Sequence, residues 1–200
     1  ILSISIWMML QHGLVFGSWF VFFITIEHFG ERSLAITNIV RNISSFLFLF
    51  VQAFASVVSS LVGNLIGEDK SNSILYVCKK VIFLCYITIL PIIILFVLFS
   101  SYILRIYSDN AALVFEAIPT LKVMLTSYLI AVPTFVFFSV VSGIGHAVAS
   151  LSIAFISLVI YIMYVEAIGH FSSSVPLLWT SEHVYFSCVF ILSLYHIHHW

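Results

Sequence analysis

The sequence VMLTSYLIAVPTFVFFSVVSGIGHAVASLSIAFISLVIYIMYV, which covers residues 123–165, contains no charged residue. A helix needs about 20 apolar residues to cross the hydrocarbon core of a bilayer. This run therefore has room for two crossings, with a break near Gly143 and Gly145. Residues 1–26, 42–67 and 81–104 form three further uncharged runs, each long enough for one crossing.

The composition identifies the broad class of protein. Hydrophobic residues make up 62% of the chain, against seven Lys or Arg and eight Asp or Glu. No water-soluble domain of this length has an interior large enough to bury so much apolar side chain. A transmembrane β-barrel would alternate apolar and polar residues, whereas these runs are continuous. We therefore predict an all-α, polytopic membrane protein.

Several functional classes are disfavoured by what the sequence lacks. The net charge is −1 and no basic patch is present, so we expect no nucleic-acid partner. The HExxH, GxSxG and P-loop motifs are absent, so we expect no enzyme. Three histidines stand near the end of the chain at positions 196, 198 and 199, with no carboxylate or cysteine beside them. We expect no metal site there and no bound cofactor.

Polar turns divide the chain into six predicted membrane helices. The clearest turn is the polar stretch at residues 68–73. The helices are expected at about residues 2–26, 33–67, 75–100, 111–141, 149–169 and 177–196. Because the chain begins at Ile1 without an initiator methionine or a basic leader, we expect it to be part of a longer one.

Lysine and arginine positions predict the orientation in the membrane. Loops on one side hold three lysines, at positions 70, 79 and 80, and loops on the other side hold Arg32 and Arg105. Positively charged loops tend to stay in the cytoplasm. The loop at residues 68–80 and both ends of the chain are therefore expected to face the cytoplasm.

Small residues recur at helical spacing in the first two helices. Such residues allow two helix backbones to approach closely, although the pattern is also common in generic membrane packing. The expected packing positions are Gly13 and Gly17 on the first helix and Ala55, Ser59, Gly63 and Gly67 on the second.

Polar side chains at membrane depth are functional candidates because an ionisable group there costs about 2.5–3.5 kcal/mol to insert. Glu182 has Tyr185 one turn later on the same helix face, and Arg41 lies beside Asn38. One alternative is that Arg41 and Glu182 form a buried pair that only fixes helix docking. The predicted substrate or cation pathway comprises Gln11, His12, Asn38, Arg41, Gln52, Tyr128, Glu182 and Tyr185.

Four segments together resemble a known family. They are FGERSLAITNIVR at residues 29–41, Gln52-Ala53 followed by LVGNLIGE at 61–68, SVVSGIGH at 139–146, and WTSEHVY at 179–185. In this order they are similar to helices seven to twelve of multidrug and toxic compound extrusion (MATE) transporters. The resemblance implies that these six helices form one bundle, the C-terminal lobe of a twelve-helix protein whose N-terminal lobe is missing from this chain.

The resemblance also implies a mechanism. Two six-helix lobes rock about a site between them, and inward flow of protons or sodium ions drives export of amphipathic, often cationic drugs or toxic compounds. The expected partners are the lipid bilayer, the N-terminal lobe and an amphipathic small molecule, and the expected location is the plasma or inner membrane of a bacterium. Some relatives carry acids at positions that correspond to Val15 and Ala131 here, so coupling would fall to the missing lobe or to Glu182.

Two other functions stay open at this point. A flippase for lipid-linked saccharides, from the same superfamily, commonly has several cations in its cavity to bind a pyrophosphate, and this chain offers Arg41 and Lys122. A membrane scaffold subunit whose helices only pack is the second alternative.

Overall fold

The computed structural model describes residues 2–199, with the side chains of residues 9, 13 and 17–199. Within this part of the chain, apolar runs form long helices and polar turns connect them. A 3₁₀ turn at Ser71–Ser73 precedes the third helix. The helices are α1 (Leu2–Glu27), α2 (Glu31–Gly67), α3 (Ile74–Leu98), α4 (Ser100–Arg105), α5 (Ala111–Gly143), α6 (Ala147–Phe171), α7 (Val175–Leu178) and α8 (Ser181–His198).

The predicted all-α membrane architecture is confirmed. Five helical segments of the described chain are long and apolar enough to span a bilayer, and Gly17–Glu27 of α1 forms a shorter apolar segment. The five segments are Glu31–Gly67, Ser71–Leu98, Ala111–Gly143, Ala147–Phe171 and Val175–His198.

Several helices begin or end at residues other than the predicted ones, and local interactions explain the differences. The second helix begins at Glu31 rather than Ser33, because Gly30 makes the turn with φ 99°, a conformation that suits glycine. The last predicted helix is divided into α7 and α8. At this division Thr180 Oγ1 donates to the Leu177 carbonyl at 2.6 Å, a side-chain bond that competes with helix continuation.

Helix α5 is the centre of the bundle. It packs against α2, α3, α6 and α8, and its Leu121, Met124, Leu125 and Val132 are fully buried. It continues as one helix through Pro119 and Pro133. Such prolines are tolerated in membrane helices because neighbouring groups satisfy the backbone atoms that the proline leaves unbonded. Helix α1 packs mainly on α6, and α6 in turn packs on α8.

The tightest contact between α2 and α5 occurs at Ser59 and Gly143. A Cβ atom at Gly143 would lie 2.7 Å from the Ser59 carbonyl oxygen, so only glycine fits there. The same contact continues at Gly63, whose added Cβ would lie 3.8 Å from the Gly143 oxygen, and Ala55 is buried nearby on α2. No heavy atom of a neighbouring element in the described chain lies within 4 Å of a Cβ placed at Gly13, Gly17 or Gly67.

Candidate functional site

Helix α2 has one buried apolar face and one exposed polar face. The buried face includes Val40, Leu47, Val51 and Val58. Side chains three or four positions apart share a helix face, and on the opposite side six of them are polar and exposed. The polar members of this face of α2 are Asn38, Asn42, Ser45, Gln52, Ser56 and Ser60, and the exposed Leu49 lies between Ser45 and Gln52.

The polar face of α2 is long enough to cross a membrane. From Asn38 to Ser60 it extends about 33 Å at 1.5 Å per residue. Its serines donate to backbone carbonyls of their own helix, as Ser45 does to Arg41 at 2.9 Å. The amides of Asn38, Asn42 and Gln52 have no hydrogen-bond partner among the side chains that the structure describes. Unpaired amides are unfavourable against lipid tails, so this face is suited to water or to another protein surface.

Arg41 lies at the edge of this polar face. Its guanidinium carbon is 4.9 Å from the centre of the Phe23 ring, a cation–π arrangement between α2 and α1. The side chain is exposed. Among the described residues, the salt bridges are Arg32 with Glu116 and Lys70 with Glu68. Arg41 and Glu182 therefore do not form the buried ion pair that was one reading of the sequence.

Glu182 lies on α8 one helical turn before Tyr185, at the edge of a core that contains two buried tyrosines. It is half-buried in the first turn of α8, about 10 Å along the membrane segment that begins at Val175. Tyr128 of α5 and Tyr161 of α6 belong to one buried core, and Tyr185 of α8, one turn after Glu182, packs against that core. The rings of Tyr161 and Tyr185 pack edge to face, with centres 5.9 Å apart. We refer to these four residues as the tyrosine–carboxylate cluster.

Tyr128 connects this cluster to α2. Its hydroxyl donates to the Ser44 carbonyl oxygen at 2.5 Å and accepts from the Ser44 hydroxyl at 2.9 Å. The two residues joined by this pair of hydrogen bonds lie toward the bundle interior, and Tyr128 is only 3% exposed. Tyr128 therefore links the tyrosine–carboxylate cluster to the interior side of α2, opposite the polar face.

Three residues within three positions of Glu182 in the sequence carry a buried polar atom without a hydrogen-bond partner in the described chain. Trp179 Nε1, Ser181 Oγ and His183 Nδ1 are all buried and unbonded. His183 Nε2 is 3.0 Å from Thr126 Oγ1, which itself donates to the Val123 carbonyl at 2.7 Å. This pattern assigns the imidazole hydrogen to Nε2 and leaves Nδ1 as an acceptor. Buried unbonded polar atoms cost about 1–3 kcal/mol each, so their concentration beside one carboxylate calls for a functional explanation.

The structure divides the predicted pathway residues into two groups. Tyr128, Glu182 and Tyr185 come together in the tyrosine–carboxylate cluster, whereas Asn38, Arg41 and Gln52 lie on the exposed side of α2. Gln11 and His12 were also predicted to line the pathway, but they lie outside the part of the chain whose side chains the structure describes.

Sequence reasoning missed three residues of the site. Tyr161 packs on Tyr185 and Ser44 bonds Tyr128 through contacts between helices, whereas His183 directly follows Glu182 in the sequence. Ala131, where some transporters carry an acid, is fully buried in the apolar core.

Comparisons with known proteins agree with this architecture. The MatE family model matches residues 8–165. The fold is similar to the solved structure of a MOP superfamily transporter from Pyrococcus furiosus, with a TM-score of 0.80 and 18% sequence identity. The match covers 100% of this chain and 43% of that transporter, so the chain spans less than half of the transporter's length. No curated protein matches the chain.

Proposed function

The chain belongs to the MatE family of transporters, and from this premise we propose that it forms the C-terminal lobe of a secondary active exporter. The exporter moves amphipathic, often cationic compounds outward while protons or sodium ions flow inward. It resides in the plasma or inner membrane of a bacterium, with the loop at residues 68–80 in the cytoplasm. An N-terminal lobe of six helices completes it.

The polar face of α2 is the observation that carries this proposal. A membrane-length face with three unpaired amides needs a polar counterpart, and this chain matches only 43% of the related transporter. In the proposed exporter the N-terminal lobe lies opposite α2, and the space between the two lobes is the substrate path. Asn38, Arg41 and Gln52 line the path, with their side chains available to the substrate.

The lobe moves as one body during transport. Contact at Ser59 and Gly143 holds α2 against α5 at the cytoplasmic end, and the double hydrogen bond of Ser44 and Tyr128 holds the same helices nearer the middle. A rigid α2 transmits the rocking of the lobe to the path. The short loop at residues 68–70 is available as a hinge to the next helix.

Export is tested in cells that express the full reading frame. We expect cells with the transporter to accumulate less ethidium, a lipophilic cation, than cells carrying the empty vector. We also expect the difference to vanish when a protonophore and a sodium-free medium remove both gradients. Equal ethidium accumulation in the two strains, at verified expression, contradicts drug export.

A second candidate function is favoured by Arg41. The exposed guanidinium of Arg41 has no acidic partner among the described residues, and such a group suits a phosphate or pyrophosphate. The transporter would then be a flippase for lipid-linked saccharides. In that case deletion of the gene changes the surface glycan of the cell and leaves ethidium accumulation unchanged.

A further inference from the structure

We propose that His146 and His196 form an acid-sensitive clasp, which holds the end of α8 against the turn between α5 and α6 and opens when both rings are protonated. His146 Nδ1 and His196 Nε2 are 3.0 Å apart, which is a hydrogen-bonding distance. The ring centres are 5.3 Å apart, and the ring planes meet at 77°. The clasp belongs to the folded lobe and is independent of what the transporter carries.

Two helix ends bring these histidines together. Gly145 makes the turn after α5 with φ 88°, and His146 is the residue that precedes α6. His196 lies in the last turn of α8. Beside the pair, Ile144 and Ile197 pack against an apolar cluster that α2, α3 and α5 share. The last turn of a helix frays unless other contacts hold it, and here apolar packing and the histidine bond hold it.

The charge state of the two rings decides whether the bond can form. The hydrogen bond needs one facing nitrogen with a hydrogen and one without. Two neutral imidazoles meet this condition, and so does a pair in which one ring is protonated and donates. When both rings are protonated, both facing nitrogens carry a hydrogen and both rings are positively charged. The bond is then lost and the like charges repel each other, so the second proton opens the clasp.

The pH of opening follows from this count of protons. The closed clasp accepts one added proton at most, whereas the open clasp accepts two, so a fall in pH favours the open form. The ordinary pKa of histidine is about 6.5, and the second proton has to overcome both the bond and the first charge. We therefore expect opening between about pH 5 and 6. Both side chains are half-buried rather than enclosed, so protons can reach them from solution.

The charged groups around the clasp leave a second positive charge on His196 without compensation. In the described chain His196 forms no salt bridge, and Glu68 at the end of α2 pairs with Lys70 at 2.8 Å. Helices α5 and α6 carry their acids, Glu116 and Glu166, toward their opposite ends. The titratable and charged side chains of the neighbouring elements at this end, all exposed except the buried Cys78, are Glu68, Asp69, Lys70, Tyr76, Cys78, Lys79, Lys80, Tyr195, His198 and His199.

A hydrogen bond explains the pair better than a bridging metal ion does. Among the residues that the structure describes, no group of three His, Cys, Asp or Glu side chains is placed to hold a metal. Protein sites for zinc usually have at least three protein ligands. The distance of 3.0 Å between the two facing nitrogens is that of an ordinary hydrogen bond.

Opening of the clasp would release α8 from the rest of the lobe at one end. The contact of Gly143 with Ser59 lies at the same end of α5 and contains no titratable group, so α2 and α5 stay together in acid. In the orientation proposed above, this end faces the cytoplasm, whose neutral pH keeps the clasp closed while the lobe moves as one body. A fall in cytoplasmic pH then frees the last turn of α8.

Hydrogen–deuterium exchange of the intact, purified transporter tests the clasp without substrate. The backbone amides of residues 194–198 are compared at neutral pH and at about pH 5, after correction for the chemical exchange rate. In the wild type we expect these amides to exchange about fivefold faster in acid, the effect of losing one net hydrogen bond. In His146→Gln the new side chain can bond His196 at either pH, so exchange should stay slow in acid. His146→Ala should exchange fast at both pH values.

His198→Gln is the matched control, because His198 is an exposed histidine near the same end of α8. This variant should keep the pH dependence of the wild type.

Any of four outcomes overturns the proposal. They are equal exchange of the wild type at both pH values, a pH dependence that persists in His146→Gln, a pH dependence that is lost in His198→Gln, and faster exchange of the wild type at neutral pH when a chelator is added, which would mean that a metal ion joins the rings. Ethidium export is measured separately. A transporter with this pH response that exports no ethidium contradicts drug export and leaves the clasp in place.

Discussion

Tyr128 and Ser44 form a two-way hydrogen bond across the bundle interior, with the phenol donating at 2.5 Å and accepting at 2.9 Å. The two residues belong to α5 and α2, and the Ser44 carbonyl gains a second hydrogen bond beyond the helix. A single phenol oxygen therefore fixes the separation of the two helices near the middle of the membrane.

Replacing Tyr128 with Phe is expected to destabilise the lobe by about 1 kcal/mol, because the ring stays and both hydrogen bonds are lost. The measurement is the Tm of the purified transporter in detergent. Tyr86→Phe is the matched control, since its hydroxyl donates to the Leu129 carbonyl and joins α3 to α5.

Tyr128→Phe should lower the Tm more than Tyr86→Phe does, because it removes two hydrogen bonds between helices and Tyr86→Phe removes one. Equal losses of Tm in the two variants would contradict this role of the contact between Tyr128 and Ser44.

Gly143→Ala tests the close contact of α2 and α5. The added methyl group would meet the Ser59 carbonyl oxygen at 2.7 Å and the Ser59 Cα at 3.2 Å. Backbone atoms cannot move aside as a flexible side chain can, so we expect a loss of about 1–3 kcal/mol. Gly67→Ala serves as control because its Cβ meets no described atom of another element within 4 Å. Equal Tm values for the two variants would show that the helices do not approach this closely.

Cysteine labelling tests the environment of the polar face of α2. In a background without the three natural cysteines, Gln52→Cys should react about tenfold faster with a charged maleimide than Phe83→Cys, because charged reagents avoid hydrocarbon. Phe83 is the control because it is 65% exposed on α3, on an apolar surface suited to lipid. Slow labelling at both positions would mean that α2 faces lipid or a dry interface.

Arg41→Gln distinguishes the two candidate functions. At about 10 Å and an effective dielectric constant of about 20, two like charges repel by about 1.7 kcal/mol. In an exporter of cations, removing the guanidinium should therefore lower the Kd for ethidium by up to about 20-fold. Arg41→Lys keeps the charge and should leave this Kd close to the wild-type value.

In a flippase, Arg41→Gln should instead reduce delivery of the surface glycan, because a phosphate ligand has been lost. Ethidium binding to the purified protein and glycan staining of cells separate these results.

Much of the architecture follows from the sequence because it depends on local properties. Uncharged runs of membrane length define the helices, and the pairing of Glu182 with Tyr185 follows from their separation by three positions on one helix. The break between α7 and α8 escaped prediction, because it depends on the hydroxyl of Thr180, which also bonds Tyr164 at 2.8 Å from another helix.

Contacts between helices were the part that the sequence left open. Ser44 and Tyr161 lie in apolar runs where nothing distinguishes them from neighbouring polar residues, and only helix packing brings them to Tyr128 and Tyr185. Gly143 was recognised as a break in an apolar run, but its role as the partner of Ser59 depends on the rotation of α2. Small-residue spacing alone gave the right helix and could not give the partner.

The central position of α5 has a consequence for how the protein is made. Translation delivers α1, α2 and α3 to the membrane before α5 exists, yet the buried face of α2 and the Ser44 carbonyl both need α5. Until α5 and then α8 are inserted, these earlier helices are separate spans that await assembly. Quality control in the membrane therefore meets a half-assembled lobe in every synthesis cycle, and variants that weaken the α2–α5 contact should be degraded at this stage, before any transport defect is seen.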